Sequence, residues 1–101
     1  MKPRVRIATA RTPDGGEMVL YQHDSDFSIE INGQELMHSR HHESELELAR
    51  LGCAHLDGRK APSILIGGLG MGYTLRQALD MLSPHAQVVV GELLGAVVEW
   101  N

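Results

Sequence analysis

Ser63-Ile-Leu-Ile-Gly-Gly-Leu-Gly-Met-Gly72 is the stretch on which the fold of this chain turns. Ile64 to Ile66 form a short apolar run that reads as a buried strand, and it leads straight into Gly67, Gly68, Gly70 and Gly72. A helix-like stretch from Tyr73 to Leu82 follows at once. Glycines at such a junction let the backbone turn sharply and approach a ligand closely, because a Cβ would obstruct both. The helix start behind them offers N–H groups and the positive end of a dipole to a polar or anionic group. A second apolar run, Val88 to Val90, ends in Gly91-Glu92. An acid at that point is placed to accept hydrogen bonds from ribose hydroxyls. In outline this is a strand–helix–strand nucleotide site, with Gly68, Gly70, Gly72 and Glu92 as the candidate binding residues.

The spacing narrows the ligand. A dinucleotide fingerprint requires Gly-x-Gly-x-x-Gly. Counted from Gly68, its third glycine falls on Tyr73, which is too large for close helix–strand contact; counted from Gly67, its second falls on Leu69. A nicotinamide-dependent oxidoreductase is therefore disfavoured. The pattern that fits, Gly68-x-Gly70-x-Gly72, resembles the first motif of S-adenosylmethionine-dependent methyltransferases and their relatives. The competing explanation is a glycine-rich β-to-α turn that holds no ligand. The flanking strand-like runs and the acid at the end of the second favour the nucleoside site.

Composition sets the outer limits. At 101 residues the chain is short for a domain but long enough for a modest core. Its hydrophobic share of 43% and charged share of 22% are those of an ordinary globular protein. A net charge of −4 speaks against nucleic-acid binding, which needs a basic face. Lys2, Arg4, Arg6 and Arg11 are interleaved with apolar residues and read as the solvated face of a strand. No apolar stretch approaches the ~20 residues of a membrane span, and the start lacks the long apolar region of a secretory signal. Cys53, the single cysteine, excludes an internal disulfide framework and suits a reducing cytoplasm.

The expected fold class is α/β, with residues 1–40 as an antiparallel β domain and residues 41–101 as a helix plus the start of a nucleotide-binding domain. Val5 and Ile7 alternate with polar neighbours as in a half-buried strand. Pro13-Asp-Gly-Gly16 is a turn: proline presets φ and glycine accepts positive φ. Glu17 to Gln22 forms a second strand. Phe27, Ile29 and Ile31 alternate strictly with Ser28 and Glu30, and Asn32-Gly33 is a strong hairpin signal leading to Gln34 to Met37. A helix is expected from about His41 to Leu56, with Leu46, Ala49, Cys53 and Leu56 on one apolar face. Ser83-Pro84 ends the next helix. Leu93 to Trp100 begins another. Two parallel strands leave apolar surface uncovered, and valines and leucines crowd the last fourteen positions. The expectation is an N-terminal part of a longer protein, or a chain that needs a partner to complete its sheet.

Taken together, the order of elements resembles the N-terminal part of the spermidine synthase family. The strand–turn–strand Phe27-Ser-Ile-Glu-Ile-Asn-Gly-Gln-Glu-Leu36 is similar to the last hairpin of that family's β domain. His41-His-Glu-Ser-Glu-Leu-Glu-Leu-Ala49 is similar to its acidic, His-containing helix, and Ile64 to Gly72 to the entry of its Rossmann-like methyltransferase domain. Glu92 stands where the family has its ribose-binding acid. The resemblance covers roughly residues 17 to 101. It implies the first βαβ of a methyltransferase-type domain in a cytoplasmic, homodimeric transferase, which binds S-adenosylmethionine or its decarboxylated form and passes an aminopropyl or methyl group to an amine such as a polyamine. No metal is implied. One departure stands out: the family's aminopropyltransferases carry an aspartate inside the glycine loop, where this chain has Gly70. In the family that acid contacts the amine of the decarboxylated donor; with glycine, the loop's N–H groups tolerate a carboxylate. The family's catalytic aspartate lies well beyond the second strand, outside these residues. A non-catalytic or truncated relative that serves as an association module is the alternative.

Other constellations carry less. His38 and His42 have a spacing at which two imidazoles can share a metal, but they straddle a strand-to-helix junction and no third ligand has a recognised spacing. His42 and Glu43 align loosely with the family's substrate-side segment; a polar helix start is the simpler explanation. Glu43, Glu45 and Glu47 read as a solvated acidic face, and Cys53 as a core residue rather than a nucleophile.

Overall fold

The computed structural model describes residues 3–101, so Lys2 of the expected basic strand face lies outside the described residues. The chain is α/β and divides into two compact units between His41 and His42.

The first unit is an antiparallel meander of four strands in sequential order: β1 (Val5–Arg11), β2 (Glu17–His23), β3 (Asp26–Ile31) and β4 (Gln34–His38). Each connection has a local cause. At the first, Gly15 has φ +88° and its N–H donates to the Thr12 carbonyl at 2.9 Å. At the second, Asp24 takes φ +55°. At the third, Asn32 and Gly33 take φ +51° and +81°, the paired positive values of a tight hairpin whose twist matches its strands. The Asn32 side chain also accepts from the Glu17 N–H at 2.9 Å, so the turn residue braces the start of β2.

Met18, Val19 and Ile29 form the buried part of this sheet. Val19 stands across from Glu30, and Tyr21 lies two residues along on the same face. Arg4 pairs with Glu30 and lies 3.8 Å over the Tyr21 ring, so charged side chains lie over this face of β2. Arg11 donates to the Gly15 carbonyl at 3.2 Å. Arg4 and Arg11 thus make internal contacts as well as facing water. Val5 and Ile7, expected to be half buried, are exposed. The reason is local: β1 is an edge strand, and its register shifts between Arg6 and Ala8, leaving Ile7 without a direct partner.

The second unit contains α1 (Glu43–Cys53), a 3-10 turn (Ala54–Leu56), β5 (Ser63–Gly67), α2 (Tyr73–Met81), β6 (Gln87–Gly91) and α3 (Gly95–Trp100). β5 and β6 pair in parallel, with Leu65 opposite Val89 and Gly67 opposite Gly91. α1 starts two residues later than expected, because the His41 N–H closes a turn onto the His38 carbonyl at 3.1 Å and His42 takes a non-helical conformation. Glu43 and Glu45 occupy its first turn, where acids suit the dipole. α2 ends at Leu82, which is extended, and the Ser83 hydroxyl donates to the Lys60 carbonyl.

Ala49, Cys53, Ile66 and Ala78 form the core of this unit, with Ile64, Val88 and Val90 packed against it. Side chains alternate along a strand, so Ile64, Ile66, Val88 and Val90 share the face that meets the helices. Leu65 and Val89 point the other way and are 74% and 60% exposed. The small sheet is covered on one face and open on the other. No helix is long and apolar enough to cross a membrane among the described residues.

Candidate functional site

The glycine loop leaves β5 with Gly68, whose φ is +95°, turns through Gly70 at +56°, and enters α2 through Gly72 at +83°. These are left-handed backbone values that glycine adopts without penalty. A Cβ at Gly68 would meet nothing within 4 Å, so positive φ rather than crowding requires glycine there. A Cβ at Gly72 would lie 3.3 Å from Asn101 Oδ1, so at that position positive φ selects glycine and a side chain would also press on Asn101.

Backbone bonds shape part of the loop. The Gly68 N–H donates to the Gly91 carbonyl at 2.7 Å, extending the β5–β6 pairing by one step. The Gly72 N–H donates to the Leu69 carbonyl at 2.9 Å, and the Gly72 carbonyl accepts from the Arg76 N–H at 2.9 Å, which opens α2. No side chain caps α2. Thr74, in its first turn, donates through Oγ1 to the Glu45 carbonyl at 3.0 Å and joins the starts of α2 and α1.

Glu92 lies beside the loop. Its Oε1 accepts from the Leu69 N–H at 2.7 Å and its Oε2 from the Leu94 N–H at 3.0 Å. The residue is half-buried. These two N–H groups, Leu69 before Leu94, hold its carboxyl below the ordinary 4.5, against the opposing effect of burial; Gly70 and Leu93 add smaller contributions. Glu92 is therefore an anion at neutral pH. A carboxylate has about four acceptor positions, so two bonds leave room for donors such as hydroxyls.

Asn101 is the residue the sequence did not single out. Its Nδ2 donates to the Gly70 carbonyl at 2.8 Å and to the Val97 carbonyl at 2.7 Å. An asparagine just past a helix was the available signal, but its loop partner lies 31 positions away. The loop is thus held on one flank by Glu92 and on another by Asn101. Gly68, Gly70, Gly72 and Glu92, named from spacing, do come together in space.

The histidines behave differently. The His38 ring meets the His41 ring edge-on at 5.2 Å, and His38 Nδ1 accepts from the Arg40 N–H at 3.0 Å. His42 precedes α1 without capping it; its ring stacks on Tyr73 with centroids 4.1 Å apart and planes within 10°. Among the described residues no group of three His, Cys, Asp or Glu side chains is arranged to hold a metal ion. Cys53 is buried in the core of the second unit.

A concavity of about 320 Å³ lies between α1, β5 and α2. Leu48, Cys53, Ile66 and Ala78 give it an apolar wall, and Gly67 and Gly68 form one end. Glu92 does not line it, so the polar chemistry belongs to the loop and not to this concavity. No protein-family model, curated protein or solved structure matches the chain.

Proposed function

We propose that the second unit is a nucleoside-binding module of a spermidine synthase-like transferase, the first strands of a Rossmann-like methyltransferase domain, with S-adenosylmethionine or its decarboxylated form as the group donor. The observation that carries this reading is the Glu92 carboxylate, ionised and held at the end of one parallel strand beside the glycine loop that leaves the other. Ribose hydroxyls donate to such an acceptor, while Gly68, Gly70 and Gly72 keep side chains away from the approaching nucleoside. Gly70 in place of an acid leaves no carboxylate at that position of the loop, so a donor that keeps its own carboxylate meets less repulsion there. The residues named here bind and orient; transfer of an aminopropyl or methyl group to an amine would then rest on proximity, alignment and a base for the amine proton.

Calorimetric titration with S-adenosylmethionine, its decarboxylated form and methylthioadenosine tests the reading. Glu92→Ala is expected to weaken binding by roughly 1.5–3 kcal/mol, as loss of a hydrogen bond to a charged group does. A wild-type protein that binds none of the three, or a variant that binds as well as wild type, contradicts it.

A second reading has its own support. The open face bearing Leu65 and Val89, together with exposed Leu93 and Val98, suits a module whose role is association, in a homo-oligomer, without catalysis.

A further inference from the structure

We propose that Asn101 is a positioning residue that presets the glycine loop for its ligand, an inference that rests on the nucleoside-binding reading of that loop. The Asn101 amide has two N–H donors. One goes to Gly70 and the other to Val97, and both partners are carbonyl oxygens. Only the nitrogen end of the amide satisfies such a pair, so the chemistry of the partners fixes the orientation of the side chain.

The consequence lies in the peptide between Gly70 and Met71. Trans peptides place the C=O and the following N–H on opposite sides, and the described residues contain no cis bond. With the Gly70 carbonyl held by Asn101, the Met71 N–H points away from Asn101. Two peptides earlier in the loop, the Leu69 N–H is committed to Glu92 at 2.7 Å. The peptides on both sides of the Leu69–Gly70 linkage are therefore fixed by side chains, one through its donor and the other through its acceptor. Glycines at positive φ would otherwise let these peptides rotate at little cost. Asn101 removes that freedom before the ligand arrives, which lowers the ordering cost of binding.

The two side chains also bracket one element. Glu92 holds the Leu94 N–H just before α3, and Asn101 follows the last residue of α3 while holding the Val97 carbonyl within it. The loop and α3 are coupled at both ends of the helix. Asn101 Oδ1 also lies 3.3 Å from where a Cβ at Gly72 would stand, so a side chain at the start of α2 would press on the same residue.

The experiment uses the chain labelled with ¹⁵N and ¹³C, with methylthioadenosine as the probe, and compares wild type with Asn101→Asp, Asn101→Ala and Asn101→Gln. Asn101→Asp replaces the donor by an acceptor facing two carbonyls; Asn101→Ala removes it. Both are expected to move the Gly70 carbonyl and Met71 amide resonances in the unliganded protein and to weaken methylthioadenosine binding about tenfold, the scale of one well-placed hydrogen bond. Asn101→Gln, which keeps the amide, recovers part of both effects. Unchanged Gly70 and Met71 resonances, or unchanged affinity when they do move, overturn the proposal. A wild-type chain that binds no nucleoside overturns the functional reading instead, and with it the ligand-positioning role. The hydrogen bond itself is still judged by the carbonyl resonance, which is read without ligand.

Discussion

The four-stranded meander and the glycine loop face one requirement, to satisfy backbone polar groups, and meet it by different means. In the meander, strands adjacent in sequence pair with one another, and the first turn is closed by backbone bonds among Thr12, Gly15 and Gly16. In the loop, two of the decisive partners are side chains: Glu92, 23 positions from Leu69, and Asn101, 31 positions from Gly70. A hairpin ladder distributes its stabilisation over many backbone bonds, so no single surface side chain is indispensable. A loop held by two side chains concentrates the dependence on those two. The meander should therefore be sensitive to its core and the loop to its clasps.

The largest effect is expected in the meander's interior. Ile29 is 2% exposed, and Ile29→Ala should cost about 2–5 kcal/mol in chemical denaturation through lost burial and the cavity left behind. Leu65, on the open face of the other unit, provides the contrast. Leu65→Ala should stay within about 0.5 kcal/mol of wild type, and it should reduce any self-association seen by light scattering. A large loss of stability from Leu65→Ala without a change in association would mean that this face is covered within the chain.

Gly72→Ala comes next. Alanine at φ +83° carries a left-handed penalty, and its Cβ would press on Asn101 Oδ1, so a loss of roughly 1–2 kcal/mol is expected. At Gly33, at φ +81° in the meander, an added Cβ would meet nothing within 4 Å, so Gly33→Ala carries the conformational penalty alone and should cost less. Equal losses at the two sites would remove the argument that Asn101 crowds Gly72.

The smallest effect is a pH dependence. The Glu92 carboxyl is held below its ordinary 4.5, so its contribution to stability is fully present above that value and is lost as pH falls through the lowered one. For a half-buried carboxylate in partial contact with solvent, that contribution is on the order of 1 kcal/mol or less. The Leu69 and Leu94 amide resonances should move together during acid titration, with a midpoint below 4.5. A midpoint at or above that value would show that the backbone does not hold the carboxylate.

Sequence reading recovered what short-range chemistry controls. Asn32-Gly33 adopts the paired positive φ that this dipeptide favours, and the β5 and β6 boundaries lie one residue outside the apolar runs Ile64–Ile66 and Val88–Val90. It missed what depends on distant partners. The exposure of Val5 and Ile7 follows from an edge position and a register shift, which alternation of residue types does not encode. Helix patterning carried α1 back to His41, but His42 instead stacks on Tyr73, a partner on another helix. At the candidate site, glycine spacing and an acid after a strand pointed to Gly68, Gly70, Gly72 and Glu92. Asn101 escaped, because an asparagine at a helix end is ordinary until its partner across the fold is known.

The central claim is that the loop and Glu92 form a nucleoside site, and the most direct measurement is amide resonance mapping of the chain during titration with methylthioadenosine. The account predicts saturable shifts at Gly68, Leu69, Gly70, Gly72 and Leu94, with the amides of the β1–β4 ladder unmoved. Shifts confined to the meander, or none at ligand concentrations that saturate a nucleoside site, would contradict it.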